Sequence, residues 1–226
     1  ELVWSVLVAS RNGRPRLRLS MMLHPDVALQ KDFWKYSLPV LGNELVWGCG
    51  FTMYTVIMGH LGTDAVAANS IANIVKDLLV CLSLGLGNAG GILVGNLLGR
   101  NAFDQAKVMG DRLCVLVAAV GVGTGLLIIA VRPLALQWAG LTPQATRYLS
   151  VMLFICAYYA ACGCMTNLTI AGIFPAGGDS RFGLVCDAIV MWLVVVPIGL
   201  LAAFVWKLPV LAVYTLLNTD ECLKMI

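Results

Sequence analysis

Five charged side chains interrupt or directly follow long apolar stretches of this chain, and their chemistry needs explaining first. Glu44, Lys76 and Asp77 lie inside runs that are otherwise apolar, and Asp220 and Glu221 follow another such run. A charged side chain in the middle of a membrane-spanning helix costs at least about 2.5–3.5 kcal/mol. We therefore expect these residues to face protein or a water-filled cavity, where they could bind ions or a charged substrate.

A polar stripe leads up to Asp77. Asn69, Asn73 and Asp77 recur every four residues, and Lys76 lies three residues after Asn73. Residues at this spacing share one face of an α-helix, so we expect the stripe to line a substrate or ion pathway. A purely structural ion pair is the alternative for Lys76 and Asp77, although adjacent residues on a helix point in different directions.

The roles of the other acidic residues depend on where their helices end. Asp220, with Glu221, is predicted to lie deep in the membrane if its apolar run is a full span. Both lie at the membrane surface if the helix ends near Thr219. Asp187 follows the start of an apolar run by a few residues, and an exposed carboxylate or one at a helix N-terminus explains it most simply.

Aromatic residues suggest the class of ligand. Trp47, Tyr54, Tyr158 and Tyr159 are candidates to line a cavity, because the faces of aromatic rings attract organic cations. The sequence contains no phosphate-binding loop, zinc-ligand spacing or catalytic triad. We therefore expect no enzyme activity, no catalytic or metal-binding residues and no cofactor. Any transport would have to be driven by an ion gradient or by a partner.

The eight cysteines all lie in or beside apolar stretches. Cysteine at such positions typically behaves as a small packing residue. A metal or redox role is the alternative interpretation.

The composition indicates the surroundings in which the charges must operate. Of the 226 residues, 60% are hydrophobic and 12% are charged, whereas a soluble domain has about 25% charged residues. The apolar runs lack the alternation of membrane β-strands. We therefore predict an all-α bundle of about six transmembrane helices in a lipid bilayer. The small net charge of +3 gives no indication of a nucleic-acid partner.

Apolar runs and polar connectors divide the chain into two parts. Residues 1–35 are expected to contain the end of a preceding transmembrane helix and a basic connector, 11–35, so the chain is expected to be a fragment. Residues 36–226 are expected to form one lobe. Arg132 and Pro133 are expected to end its third span. The predicted spans are about 36–59, 65–98, 113–131, 148–173, 183–205 and 208–226.

The basic residues predict an orientation. Eleven of the fifteen Lys and Arg residues lie on the side of connector 11–35, and three lie on the opposite side. Loops rich in Lys and Arg stay in the cytoplasm. We therefore expect a multi-pass protein of the plasma membrane, with the connector on the cytoplasmic face.

Four stretches of the chain together form a recognisable pattern. They are LPVLGNELVWG (38–48), GHLGTDAVAANSIANIV (59–75), VGNLLGRNAFDQAK (94–107) and AGGDSRFG (176–183). In their order and spacing over about 190 residues, these stretches resemble the C-terminal six-helix lobe of multidrug and toxic compound extrusion (MATE) transporters.

The resemblance implies an antiporter of two six-helix lobes that exports small organic cations in exchange for Na⁺ or H⁺ by alternating access. Its missing partner would be an N-terminal lobe of the same polypeptide, and a bacterial inner membrane would be its setting. The family's glutamate on the first helix of this lobe corresponds to Glu44. The fourth span lacks the acidic residue that some members use for a cation. A lipid or polysaccharide flippase and a non-transporting half-protein are the alternatives.

Overall fold

The computed structural model describes residues 27–225. In this part of the chain the structure is helical and contains no strands, so the all-α prediction is confirmed. The predicted helix end at 1–10 and most of connector 11–35 lie outside the described residues. The helices are α1 (Val27–His60), α2 (Thr63–Gly99), α3 (Phe103–Trp138), α4 (Pro143–Ala176), α5 (Ser180–Val205), α6 (Val210–Asn218) and α7 (Asp220–Leu223).

The chain divides into two units, and the division falls within α1. Residues 39–226 form one unit, which contains α2 to α7 and the later part of α1. The described part of the other unit is the beginning of α1, which starts nine residues before the predicted span. The following description concerns the unit that begins at Pro39.

Four helices of the described chain, α2 to α5, are long and apolar enough to cross a membrane. The helix α1 has 34 residues but carries Lys31, Asp32, Lys35 and Glu44 along its length. The helix α6 has nine residues, whereas a span needs about 20. The helices at the first and last of the six predicted spans, α1 and α6, therefore lack the combination of length and apolar composition that α2 to α5 have.

The helix α3 is longer than the sequence predicted. It begins at Phe103 and continues through Arg132 and Pro133 to Trp138, so the expectation that these two residues end it was wrong. Arg132 finds its partners on α4. The Arg132 Nε donates to the Ser150 carbonyl at 3.2 Å, and the Arg132 guanidinium lies 4.3 Å from the Phe154 ring centroid. The helix α3 continues through Pro133 although proline has no backbone N–H and cannot donate the hydrogen bond expected at that position.

Two helix pairs approach so closely that only glycine fits at the contact. A Cβ atom added to Gly91 of α2 would lie 2.8 Å from the carbonyl oxygen of Gly172 in α4. A Cβ atom added to Gly125 of α3 would lie 2.6 Å from the Ala157 oxygen, also in α4. Small residues allow such backbone contact between membrane helices. These contacts pack α4 directly against both α2 and α3.

Two of the membrane helices contain π-helical segments, in which the backbone bonds skip one residue more than in an α-helix. The first spans Asn167–Ile173 of α4, and Phe174 N–H bonds to the Thr169 carbonyl. The others span Ala188–Val195 and Leu201–Val205 of α5. The first segment lies directly against α2, since Gly87 and Gly91 contact it.

Side-chain contacts attach α1 and α4 to their neighbours. Trp192 Nε1 in α5 donates to the Val46 carbonyl of α1 at 3.1 Å. Thr142 caps the start of α4 by accepting from Ala145 N–H at 3.1 Å, and its hydroxyl donates to Asp64 of α2 at 2.7 Å.

Buried apolar side chains of α1 to α6 form the main core, which includes Ile57, Ala68, Ile128, Leu149 and Val213. Large apolar side chains point outward along α1 to α5, and among them Leu78, Val115, Leu126 and Leu193 are more than 60% exposed. A soluble monomer rarely exposes so much apolar surface. This arrangement is typical of helices that pack on one side and contact lipid on the other.

A buried charge cluster fastens α7 to α5. Lys224 Nζ lies 2.9 Å from Asp187 Oδ1 and 3.6 Å from Asp220 Oδ2, and these three side chains are 1%, 4% and 7% exposed. The prediction that Asp187 is exposed or lies at a helix N-terminus is therefore wrong, because the residue is buried and lies seven residues after Ser180, where α5 begins. Lys224 neutralises Asp187 from 37 positions later in the sequence, so local sequence carried no signal of the pair.

The contact between α2 and α4 predicts that Gly91→Ala destabilises the protein. Because the added methyl group meets backbone rather than a movable side chain, we expect a loss of roughly 1–3 kcal/mol. Gly85→Ala is the matched control on the same helix, since an added Cβ there has no neighbour within 4 Å. Thermal unfolding of the detergent-solubilised protein measures both. Equal melting temperatures for the two variants would contradict the close contact.

The charge cluster predicts that Lys224→Met is strongly destabilising. The substitution keeps most of the side-chain volume but leaves two buried carboxylates unpaired, which costs roughly 3–5 kcal/mol. Lys107→Met, at an exposed position on α3, should leave the melting temperature unchanged. A Lys224→Met protein as stable as the wild type would show that the cluster contributes nothing.

Candidate functional site

A cavity of about 220 Å³ opens between the helices that carry the polar stripe and the acidic residues. The helices α1, α2 and α4 form most of its wall, and α5, α6 and α7 complete it. None of the described lining residues belongs to α3. Small-molecule sites usually measure roughly 300–1,000 Å³, so the cavity matches part of a drug-sized ligand.

The polar stripe of α2 forms one wall of the cavity. Asn69, Asn73, Lys76 and Asp77 all contribute to the lining. Asn69 is buried, Asn73 and Lys76 are half-buried, and Asp77 is exposed. The helical spacing of these residues explains why they share this wall.

Two acidic residues of α7 form another part of the wall. Asp220 and Glu221 both line the cavity. The Glu221 carboxylate lies against Gly163 of α4, 3.7 Å from the position of an added Cβ. The Glu221 carbonyl accepts from Thr166 Oγ1 at 3.4 Å. Asp220 also pairs with Lys224, so the charge cluster and the cavity share this residue.

Aromatic rings of α1 lie beside the polar stripe. Trp47 and Phe51 are stacked with ring centroids 5.7 Å apart and an angle of 15° between their planes. Lys76 Nζ lies 5.6 Å from the Phe51 centroid, within the range of a cation–π contact. Tyr54 lies on the same wall. A cationic group of the protein thus already occupies one aromatic face of the cavity.

The helices α4 and α6 contribute further polar groups. The Tyr214 hydroxyl lies 2.9 Å from Cys156 Sγ, and both residues line the cavity. Asn167, where the π-helical segment of α4 begins, lines it as well. Asn218 is held by a bond from its Nδ2 to the Tyr214 carbonyl at 2.9 Å.

Two predicted residues lie elsewhere. Glu44 is exposed and absent from the lining; it lies one helical turn before Trp47, where the α1 wall begins. Tyr158 is 77% exposed and also absent from the lining. The next residue, Tyr159, lines the cavity instead, because consecutive helical residues point about 100° apart.

The sequence did not single out several other lining residues. They share no motif and come from three helices, α1, α4 and α6: Phe51, Asn167, Tyr214 and Asn218. Helical spacing from Trp47 could have indicated Phe51, four residues later on the same face. The others depend on contacts between helices.

The lining has the chemistry of a cation site. Within the described residues it contains three carboxylates, of Asp77, Asp220 and Glu221, and one ammonium group, of Lys76. Aromatic faces and carboxylates together attract organic cations. No three His, Cys, Asp or Glu side chains of the described chain are arranged to hold a metal ion.

The amino-acid sequence of the chain is similar to those of known proteins. The MatE family model matches residues 39–201. A probable multidrug resistance protein NorM of Neisseria meningitidis serogroup B is 26% identical over 165 residues, covering 71% of this chain and 36% of that protein. Its counterpart in Pasteurella multocida is 26% identical over 212 residues, covering 93% of this chain and 42% of that protein.

A eukaryotic relative is also similar. The multidrug and toxin extrusion protein 1 of Oryctolagus cuniculus is 22% identical over 186 residues, covering 81% of this chain and 32% of that protein. This chain thus spans about a third to two-fifths of the length of these three relatives.

Solved structures share the fold. The crystal structure of a MATE protein carrying a single substitution superposes with a TM-score of 0.83 at 14% identity, covering 99% of this chain and 51% of that one. A MOP superfamily transporter from Pyrococcus furiosus, described as having a binding pocket of reversed polarity, gives 0.69 at 16% identity, covering 83% and 41%. The family match over most of the chain, together with this helical fold, shows that the chain is a membrane protein of the MatE family.

Proposed function

We propose that this chain is one lobe of a cation-coupled exporter of organic cations. The observation that carries the proposal is the lining of the cavity, in which three carboxylates and one ammonium group accompany stacked aromatic rings. The names of the relatives, which describe multidrug resistance and toxin extrusion, support an export function.

The carboxylates would couple transport to an ion gradient. Asp77, Asp220 and Glu221 can each accept a proton or contact Na⁺, and an organic cation would compete for the same charge. Competition for one set of carboxylates would make the binding of ion and substrate mutually exclusive, so that binding of one releases the other. This gives the negative coupling that exchange requires. Glu44 lies outside this lining, and its coupling role stays a prediction.

The whole transporter would contain a second, N-terminal lobe of the same polypeptide. The limited share of the relatives' length that this chain covers supports this view. We place the protein in the plasma membrane, as in a bacterial inner membrane, with connector 11–35 in the cytoplasm. The excess of Lys and Arg on that side supports this orientation.

The lining favours organic cations over the anionic head groups that a lipid or polysaccharide flippase carries. A flippase cavity should carry several basic residues, whereas Lys76 is the basic residue of the described lining. Accumulation of a lipid-linked substrate in a deletion strain that still exports cationic dyes would favour the flippase. A half-protein without transport activity would be indicated if co-expression with an N-terminal lobe restored no efflux.

We expect neutralisation of the lining carboxylates to impair efflux. In the full-length protein, Asp77→Asn and Glu221→Gln should each reduce gradient-driven efflux of a fluorescent organic cation such as ethidium by about tenfold, equivalent to about 1.4 kcal/mol. Proteoliposomes with an imposed Na⁺ or pH gradient provide the measurement and identify the coupling ion. Chromatographic elution of each variant reports whether it is folded.

Two further variants locate the coupling site. Asp111→Asn, at an exposed position on α3, should transport normally. Glu44→Gln tests the role inferred from family resemblance, and unchanged efflux would remove Glu44 from the coupling mechanism. Normal efflux in both Asp77→Asn and Glu221→Gln would overturn the proposed role of the cavity carboxylates.

We expect Trp47→Ala to weaken substrate binding. Loss of the ring that stacks on Phe51 removes an aromatic face, so the dissociation constant of ethidium should rise by about two- to thirtyfold, equivalent to about 0.5–2 kcal/mol. Trp138→Ala is the matched control, because Trp138 is 83% exposed and absent from the lining. Fluorescence titration of the purified protein measures both. An equal effect of the two substitutions would place the binding site elsewhere.

A further inference from the structure

Two cysteines from different helices are in direct contact beside the cavity. The Cys222 thiol of α7 donates to the Cys162 sulfur of α4, with the two Sγ atoms 3.1 Å apart. The residues are 60 positions apart in the sequence. Both are partly accessible, so a small oxidant could reach them.

The other cysteines near this pair have different partners. Cys164, two residues after Cys162, is fully buried and lies against Ser83 and Thr124. Cys156 contacts the Tyr214 hydroxyl. Cys162 and Cys222 are thus the two thiols that the structure places in contact within the described chain.

We propose that Cys162 and Cys222 are an oxidisable pair, whose disulfide would join α7 covalently to α4. A disulfide has a sulfur–sulfur distance of about 2.05 Å, so the two atoms need to approach by roughly 1 Å. In a reducing compartment the pair stays a dithiol. The pair therefore requires an oxidant before it forms a bond.

A peroxide supplies the necessary oxidation. One thiol attacks the peroxide to give a sulfenic acid and one water, and the second thiol displaces a second water as the sulfur–sulfur bond forms. Two thiols are oxidised and one hydrogen peroxide is reduced to two waters. Asp220 and Glu221 directly precede Cys222, and their negative charge does not favour the reactive thiolate. We therefore expect slow oxidation that depends on the proximity of the two sulfurs.

The bond would form at the wall of the cavity. Glu221 precedes Cys222, lies against Gly163 and accepts from Thr166 through its carbonyl. A disulfide at this place would hold Glu221 on α4 in the present arrangement. Oxidation is then expected to slow export reversibly. This effect on export rests on the proposed transport function, whereas formation of the disulfide is independent of it.

Mass spectrometry of the full-length protein tests the pair directly. Membranes are treated with hydrogen peroxide, remaining thiols are blocked with N-ethylmaleimide, and the digested protein is searched for a peptide linked through Cys162 and Cys222. The linked peptide should appear in the wild type and disappear after dithiothreitol. It should be lost in Cys222→Ser and in Cys162→Ser. Cys49→Ser, which removes an exposed thiol of α1, should retain it.

The outcomes separate the pair from its effect on transport. Absence of the linked peptide from the oxidised wild type, or equal pairing of Cys222 with Cys164, would overturn the proposal. Dye efflux before and after oxidation is measured in the same samples. Formation of the bond without a change in efflux would retain the oxidisable pair and reject its effect on export.

Discussion

The pairing of buried charge is the constraint on which the other features of this lobe depend. A single ammonium group, of Lys224, serves the carboxylates of both Asp187 and Asp220 in an apolar interior. Without it, both would be buried and unpaired, which is strongly unfavourable. The cluster joins the last described helix to α5. It thereby positions the neighbouring Glu221, whose carboxylate completes the cavity.

The main elements could be predicted from the sequence because their signals are local. Long apolar runs predicted the membrane helices, and four of the helices have the length and composition of a span. The four-residue spacing of Asn69, Asn73 and Asp77 predicted one polar face, and the structure places that face on the cavity wall. The resemblance to MATE transporters agrees with the family match over residues 39–201.

The remaining features depend on contacts between helices, which the local sequence does not contain. Arg132 and Pro133 predicted a helix end, but α3 continues through both residues, and Arg132 contacts side chains and backbone of α4. The sequence around Asp187 indicated an exposed or helix-N-terminal carboxylate, whereas the structure buries this residue beside Lys224. Tyr158 and Tyr159 were equally good candidates by composition, and only the rotation of α4 about its axis distinguishes them. Such information requires the packed structure.

The π-helical segment of α4 has a consequence for comparing this chain with its relatives. The segment Asn167–Ile173 accommodates more residues per turn than an α-helix does. A homologue with one residue fewer at this point could therefore keep an unbroken helix. When two such sequences are aligned, a single-residue gap here would mark a change of helical pitch and not an interrupted span. Residue correspondences between the cavity wall and the following turn should accordingly be taken from superposed structures.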